Sequence, residues 1–315
     1  MSSGLVWFRK DRRLTDNPAW AAATSDNEAV VTLFVIDPRL WDAARPHRRA
    51  QLVANLQALD RQLDSRGGRL KVEFGDPALI VPVAAESHQT VYWNADVSPF
   101  ARRRDELVRE RIGVEVGTFY GSLVHAPGAV VTDGGEPYRV FTPFWRKWSA
   151  TEWQPWPEAG NATIERDSGR GIPDVGIEPI LEPGEEGALD RLRAFDVESY
   201  EETRDRPDMA GTSMLSVDLK FGTISPRTII TVLREQRSEP FVRQLAWRDF
   251  YAHLLAAFPG MATANLRSEY DGINWRNDPG DFEAWKAGNT GYPLVDAGMR
   301  QLLQTGWMHN RVRMI

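Results

Sequence analysis

The chain has 315 residues, enough to bury a sizeable core and to form two domains, and its 42% hydrophobic and 26% charged content is that of a globular protein. A formal net charge of −6 argues against a purely electrostatic nucleic-acid binder, though a local basic patch fits within that total. The absence of cysteine excludes disulfides, thiolate metal sites and cysteine nucleophiles.

No apolar run approaches a membrane span, and in the opening MSSGLVWFRKD the charge follows the apolar stretch instead of preceding it, unlike a signal peptide. These features predict a cytoplasmic protein. Tryptophan is the compositional outlier, with 12 copies, most of them expected in the core and the rest free to stack on flat ligands or carry electrons.

In chain order, Leu5–Phe8, Val30–Ile36, Leu70–Phe74, Thr90–Trp93 and Val114–Thr118 read as buried strands, being short, rich in β-branched residues and bounded by polar, Gly or Pro positions. Arg48–Asp64 between them places Leu52, Leu56, Leu59 and Leu63 on one helical face, and Phe100–Arg111 reads as a second, basic helix. Alternation of strand and helix predicts a doubly wound α/β domain with a parallel sheet. No G-x-G-x-x-G follows the first strand, so the usual dinucleotide fingerprint is absent. Ligands are still expected beyond the carboxyl ends of the strands, where the candidate segments are Arg9–Asp16, Asp37–Trp41 and Asn94–Phe100.

From Gln154 to Gly187 the chain turns rich in Pro, Gly and acidic residues and reads as a surface linker. Helical patterns follow at Ala188–Phe195, Pro226–Gln236, Pro240–Phe258, Phe282–Lys286 and Pro293–Gln304, the last with Gly306 as its stop signal. The expected architecture is an α/β domain over 1–130, a connection over 131–187 and an all-α domain over 188–315.

Three segments of the helical half carry chemistry. Ala210–Ser216 (AGTSMLS) sets small hydroxyl residues before a helix start, which suits either a phosphate or an ordinary N-cap. Leu245–Tyr251 (LAWRDFY) makes an aromatic helix face with Arg248 beside it, suited to a flat anionic ligand or to core packing. Thr290–Ile315 crowds Trp307, His309, Asn310, Arg311 and Arg313 behind a helix stop, and arginines two apart must face different partners.

Together with WFRKDRRLTDN (Trp7–Asn17), VYWNADVSPFARRRD (Val91–Asp105), PYRVFTPFW (Pro137–Trp145) and LKFGTISPR (Leu219–Arg227), these motifs resemble the photolyase/cryptochrome family, in family order over the whole chain. The resemblance implies an α/β antenna domain followed by an all-α domain that binds FAD. It further implies light-driven repair of cyclobutane pyrimidine dimers in damaged DNA by a monomeric lyase without a metal, or alternatively a blue-light receptor of cryptochrome type. By similarity Tyr200, Thr212, Ser213, Met214, Leu215, Ser216, Phe241 and Arg248 hold the flavin, and Trp275 relays electrons to it. Trp247, Gln244, Asn310 and Met314 border the lesion, and Arg204 and Arg311 meet DNA phosphates. The antenna chromophore is a deazaflavin or a folate. VSPFARRRD favours 8-hydroxy-deazaflavin over methenyltetrahydrofolate.

Three positions depart from the family pattern. Gln244 stands where dimer photolyases carry Glu, and brings no charge. Asp249 replaces a commoner glutamate, and Arg12 replaces leucine. Family members also continue past the position of Ile315 with an Asp-x-Asp segment and the inner tryptophans, so the expectation is a carboxyl-terminally truncated FAD domain that binds flavin weakly.

Overall fold

The computed structural model describes residues 2–315. Its first half is built on five strands, β1 (Ser3–Phe8), β2 (Ala29–Ile36), β3 (Leu70–Phe74), β4 (Thr90–Asn94) and β5 (Glu115–Phe119), all parallel in the order β3-β2-β1-β4-β5. Each crossover carries a helix: α1 (Pro18–Asp26), α2 (Pro38–Ala43) and α3 (Pro46–Asp64), α4 (Pro77–Ala85), and α5 (Pro99–Arg111). Every one of these helices has proline in its first turn, where the missing N–H costs nothing.

The two-residue period of the strands divides their side chains between two cores. Val6 and Phe8 of β1 pack with Trp20 of α1 and with Leu56, Leu59 and Leu63 of α3. Leu5 and Trp7 point the other way, against Ala78, Val81 and Ala85 of α4 and Val108 of α5. Large apolar side chains buried this fully contribute about 1.5–3 kcal/mol each, which accounts for the near-continuous apolar strands of a sheet covered on both faces.

The expected connection over 131–187 contains regular structure, a helix ahead of the Pro- and Gly-rich stretch and a short strand within it. Helix α6 (Phe141–Ala150) buries Phe141, Phe144 and Trp148, and β6 (Thr163–Ile164) pairs with Ala29 and Val30 of β2. Ile164 joins the sheet's core, so its burial ties this segment to the α/β half.

The second half is helical: α7 (Gly184–Ala194), α8 (Tyr200–Thr203), α9 (Ser216–Phe221), α10 (Pro226–Leu233), α11 (Glu239–Ala257), α12 (Pro279–Ala287), α13 (Pro293–Thr305) and α14 (Asn310–Arg313). Gly306 ends α13 in the left-handed region at φ 73°, as its position predicts. Helices α7 to α11 share one core that includes Leu192, Tyr200, Leu215, Ile229 and Phe241, while Ala246, Phe250 and Leu254 of α11 pack on α6. A small cluster of Met299, Met308 and Val312 joins α13 to α14. Among the described residues no helix is long and apolar enough to cross a membrane.

The halves are joined through the carboxyl end of α9. Its last carbonyls have no partner within the helix and carry the negative end of the helix dipole. Arg12 donates to Phe221 O at 2.8 Å, Arg13 to Gly222 O at 3.2 Å, and Arg248 of α11 to Leu219 O at 3.5 Å. Arg13 is 1% exposed and also holds the Asp16 and Gly121 carbonyls, at 2.8 and 2.6 Å. The close approach requires glycine at position 222, which sits at φ 74° and where a Cβ would overlap the Lys10 carbonyl. Glu185 adds a second tie, accepting the peptide N–H groups of Leu14 and Thr15 at 2.8 and 3.1 Å.

Candidate functional site

The chain order reverses at β1, and the crevice beyond the carboxyl ends of β1, β2 and β4 is where a doubly wound sheet binds ligands. A cavity of about 440 Å³ lies there, lined by all three segments expected from the sequence and closed by Lys220 and Phe221 of α9. Its walls are aromatic, formed by Phe34, Trp41, Phe100 and Phe221.

The polar lining is strongly cationic. Asp37 is held by Arg39 at 2.7 Å, and Asp96 is paired with Lys10. Burial works against the Asp96 carboxylate, but the Lys10 charge and the Ser98 hydrogen bonds outweigh it and hold its pKa well below the usual range. Arg9 and Arg104 share one carboxylate, Asp105, at 2.5 and 2.8 Å, with both guanidinium groups over the Trp7 ring. Arg12 makes no ion pair among the described residues; it lies between the rings of Phe34 and Phe221, 4.9 and 5.4 Å from their centroids, and its Nε has no partner. Burial lowers its pKa to about 10, so it remains charged at neutral pH. Lys220 opens onto the cavity, where desolvation and the charges of Lys10 and Arg48 bring its pKa down to about 8.

The flavin-binding positions implied by the sequence lie at the other end of α9. The loop before it turns through Met214 in the left-handed region, φ 55°, while the Ser213 hydroxyl accepts the Leu215 N–H at 3.3 Å. Thr212, Ser213 and Met214 are half-buried and Ser216 is exposed, whereas Leu215 belongs to the core. Tyr200 and Phe241 meet edge to face at 5.2 Å and join α8 to α11. Burial raises the Tyr200 pKa, so its hydroxyl is a donor at neutral pH.

Arg204, which caps the carboxyl end of α8, and Arg311 of α14 converge on Asp205, at 3.7 and 2.5 Å. Arg204 Nε and His309 Nε2 are buried without a hydrogen-bond partner. Two spare donors and an open hydroxyl loop are a set that fits an anionic, phosphate-bearing group such as FAD.

On α11, Gln244, Trp247 and Tyr251 fall on one stripe at helical spacing. Trp247 stacks on Phe141 of α6 at 3.6 Å and 8°, and on Tyr251 at 5.6 Å and 25°. Gln244 donates to the Pro240 carbonyl at 3.3 Å, leaving its own carbonyl oxygen free to accept. Asn310 at the start of α14 and Met314 just after its end are exposed, and Trp275 is 69% exposed on the segment before α12.

Two residues singled out by sequence take unexpected places. The Arg248 guanidinium is spent on the Ser122 and Leu219 carbonyls, at the cavity end of α9. Asp249, one residue further and therefore about 100° round the helix, turns into the core. Its Oδ2 accepts from the peptide N–H groups of Val124 and His125 and from Trp148 Nε1, at 3.0, 3.1 and 3.0 Å. Burial raises the Asp249 pKa against the pull of those bonds and of Arg248. Phe141 and His125 went unnoticed in the sequence; PYRVFTPFW marked the former's segment, but nothing local signalled the latter.

Residues 4–161 match the family model described as DNA photolyase, and residues 241–315 that of the FAD binding domain of DNA photolyase. The deoxyribodipyrimidine photo-lyase of Halobacterium salinarum is 38% identical over 99% of this chain and 73% of its own length. The bacterial class III photolyase of Agrobacterium tumefaciens superposes with a TM-score of 0.87 at 34% identity, covering 100% of this chain and 71% of that one. An archaeal photolyase of Sulfolobus tokodaii, with two FAD molecules, superposes with a TM-score of 0.86 at 33% identity, over 99% and 73% of the two chains.

Proposed function

Because the chain belongs to the DNA photolyase family, we propose that it is a deoxyribodipyrimidine photo-lyase that repairs cyclobutane pyrimidine dimers in DNA under blue light. The observation that carries this reading is that Tyr200 of α8 and Phe241 of α11, distant in sequence, meet and share a core with Leu215 of the hydroxyl loop before α9, while Arg311 of α14 reaches Asp205 just after α8. FAD, when bound, supplies the photoexcited electron that opens the cyclobutane ring. The reaction is redox-neutral: two carbon–carbon single bonds break, two pyrimidine double bonds re-form, and the electron returns.

The chain's own residues position the reactants. Thr212, Ser213 and Ser216, with the backbone of Met214 and Leu215, hold the flavin phosphates and ribityl chain, and the Tyr200–Phe241 pair walls the site. Trp247, kept in plane by Phe141, offers a stacking face to the lesion, while the free Gln244 oxygen accepts from a pyrimidine N–H. Arg204 and Arg311, already side by side on Asp205, meet the DNA phosphates, with Asn310 and Met314 at the lesion's edge. Arg248 and Asp249 set the angle of α11. Trp275, at the surface, receives electrons from an external donor and relays them towards the flavin. The cavity at the sheet's carboxyl end takes the antenna chromophore, for which we favour an 8-hydroxy-deazaflavin. The same reading places the enzyme in the cytoplasm as a monomer and divides the chain at 130 and 187.

The test is blue-light illumination of the FAD-reconstituted chain with a thymine-dimer oligonucleotide, following dimer loss by chromatography. Dimer loss that requires light and FAD is expected. Photoreduction of the flavin with no dimer cleavage would replace the repair reading by that of a light receptor.

A further inference from the structure

The aromatic stripe of α11 does not end at Trp247. Tyr251, one helical turn further on, is 57% exposed, yet its ring is held in place. It lies 5.6 Å from Trp247 at 25° and 5.6 Å from Phe250 at 57°. Phe250 is buried among Phe141 and Phe144 of α6, and Trp247 is braced by Phe141, so the exposed ring rests on a rigid aromatic base. A face fixed before binding loses little side-chain freedom when a ligand stacks on it. Arg243, on the same helix, sets its guanidinium 5.6 Å from the Phe141 centroid, which places a positive charge against the platform. That combination of rings and cation suits a nucleic-acid strand.

The spacing of the two outer rings is informative. Four residues of helix advance about 6 Å, whereas successive bases in one strand of a duplex lie about 3.4 Å apart. Trp247 and Tyr251 therefore do not match two bases of an intact stack. They match a strand stretched at one step. A dimer resting on Trp247 requires such a step, because it must leave the stack while the nucleotide next to it stays in the strand.

We propose that Tyr251 is a second stacking rung, which takes the base of the nucleotide beside the dimer and makes binding depend on that neighbour. The proposal rests on the reading of Trp247 as the stacking face for the lesion and adds a specificity residue next to it. Every base has a π face, so no single sequence is demanded, but a neighbour without a base gains nothing from the ring. Tyrosine suits this rim position, since its ring can stack while its hydroxyl stays in water.

The experiment measures binding of the FAD-reconstituted full chain by fluorescence anisotropy. The oligonucleotides carry one thymine dimer flanked by adenine on both sides, or by an abasic site on the 5′ side or on the 3′ side. With both adenines present, Tyr251→Ala should bind about tenfold more weakly than the parent, the worth of one base–aromatic stack. With the abasic site on one of the two sides, parent and variant should agree within about twofold, and that side identifies the nucleotide that Tyr251 meets. Tyr251→Phe should follow the parent on all three oligonucleotides. Tyr251→Leu, which keeps an apolar cover on Trp247 but has no π face, should follow Tyr251→Ala and decides the matter if the alanine variant does not fold. Equal binding of parent and variants to the adenine-flanked dimer overturns the proposal. So does a tenfold loss that persists on both abasic oligonucleotides, which would make Tyr251 a support for Trp247 alone. In either case a preference of the parent for dimer over undamaged DNA leaves the repair reading standing. Without that preference both fall.

Discussion

His125 supplies a sharp test of how the two halves are held together. Its ring meets Trp148 edge-on at 5.4 Å, with Nε2 donating to the Trp148 carbonyl at 3.2 Å. Its peptide N–H donates to Asp249, and its carbonyl accepts from His253 Nε2 at 3.1 Å. Burial lowers the His125 pKa from 6.5 to about 4, despite the Trp148 bond that raises it, with Arg227 and His253 lowering it further. Between those two values the unfolded chain binds a proton that the folded chain refuses, so stability falls as pH drops from 6.5 towards 4. The separation corresponds to about 3 kcal/mol at about 1.4 kcal/mol per pH unit.

His253, also lowered by burial, acts in the same sense. Asp249, raised by burial, acts in the opposite sense, because its folded form takes up a proton before the unfolded chain does. Substituting His125→Gln keeps an N–H donor within reach of the Trp148 carbonyl and removes this one titration. Urea unfolding followed by tryptophan fluorescence across that pH range should show the parent losing about 3 kcal/mol more than the variant on acidification. At neutral pH the variant should be weaker by about 1 kcal/mol, for the lost ring packing. Parallel pH profiles for the two proteins would refute the reasoning.

Three further outcomes follow from the same geometry. Gly222→Ala should destabilise the chain by about 2 kcal/mol or more, since a left-handed backbone and overlap with the Lys10 carbonyl act together, and a urea midpoint equal to the parent's would contradict this. Trp247→Ala should weaken binding to a dimer-containing oligonucleotide by about ten- to a hundredfold, the worth of one base–aromatic stack, as read by fluorescence anisotropy; unchanged affinity would remove Trp247 from the lesion site. Gln244→Glu should tighten dimer binding by about tenfold through a charge-assisted hydrogen bond, and weaker binding than the parent's would show that no pyrimidine N–H faces this position.

The sheet was readable because its three central strands, β1, β2 and β4, are runs of mostly apolar residues buried on both faces, while the less buried β3 and β5 still show as short segments bounded by polar or Gly residues. Helix α4 escaped notice because PALIVPVAA is apolar all round and contains Pro82, so it shows no amphipathic period. Strand β6 is two residues long and exists only through its pairing with Ala29 and Val30, which no sequence window contains. The three cavity segments were legible because a topological rule places them. The roles of Arg248 and Asp249 were not, because neighbouring side chains on a helix diverge and their partners, Ser122, Val124 and His125, are more than a hundred residues away. Arg12 could be marked only as a departure; its place between Phe34 and Phe221 depends on how α9 docks.

Helix α9 is six residues long, about 9 Å, with the cavity at one end and the hydroxyl loop at the other. Guanidinium groups from two separate elements grip its carboxyl end, and Leu215 roots its amino end in the helical core. For two chromophores bound as proposed, this short rod acts as a ruler and a protractor at once, setting both their separation and the angle between their rings. The rate at which excitation passes between two dyes depends on both quantities. Loosening one grip on the rod would therefore dim the transfer while each dye stayed bound, which makes the efficiency of light harvesting a mechanical property of α9.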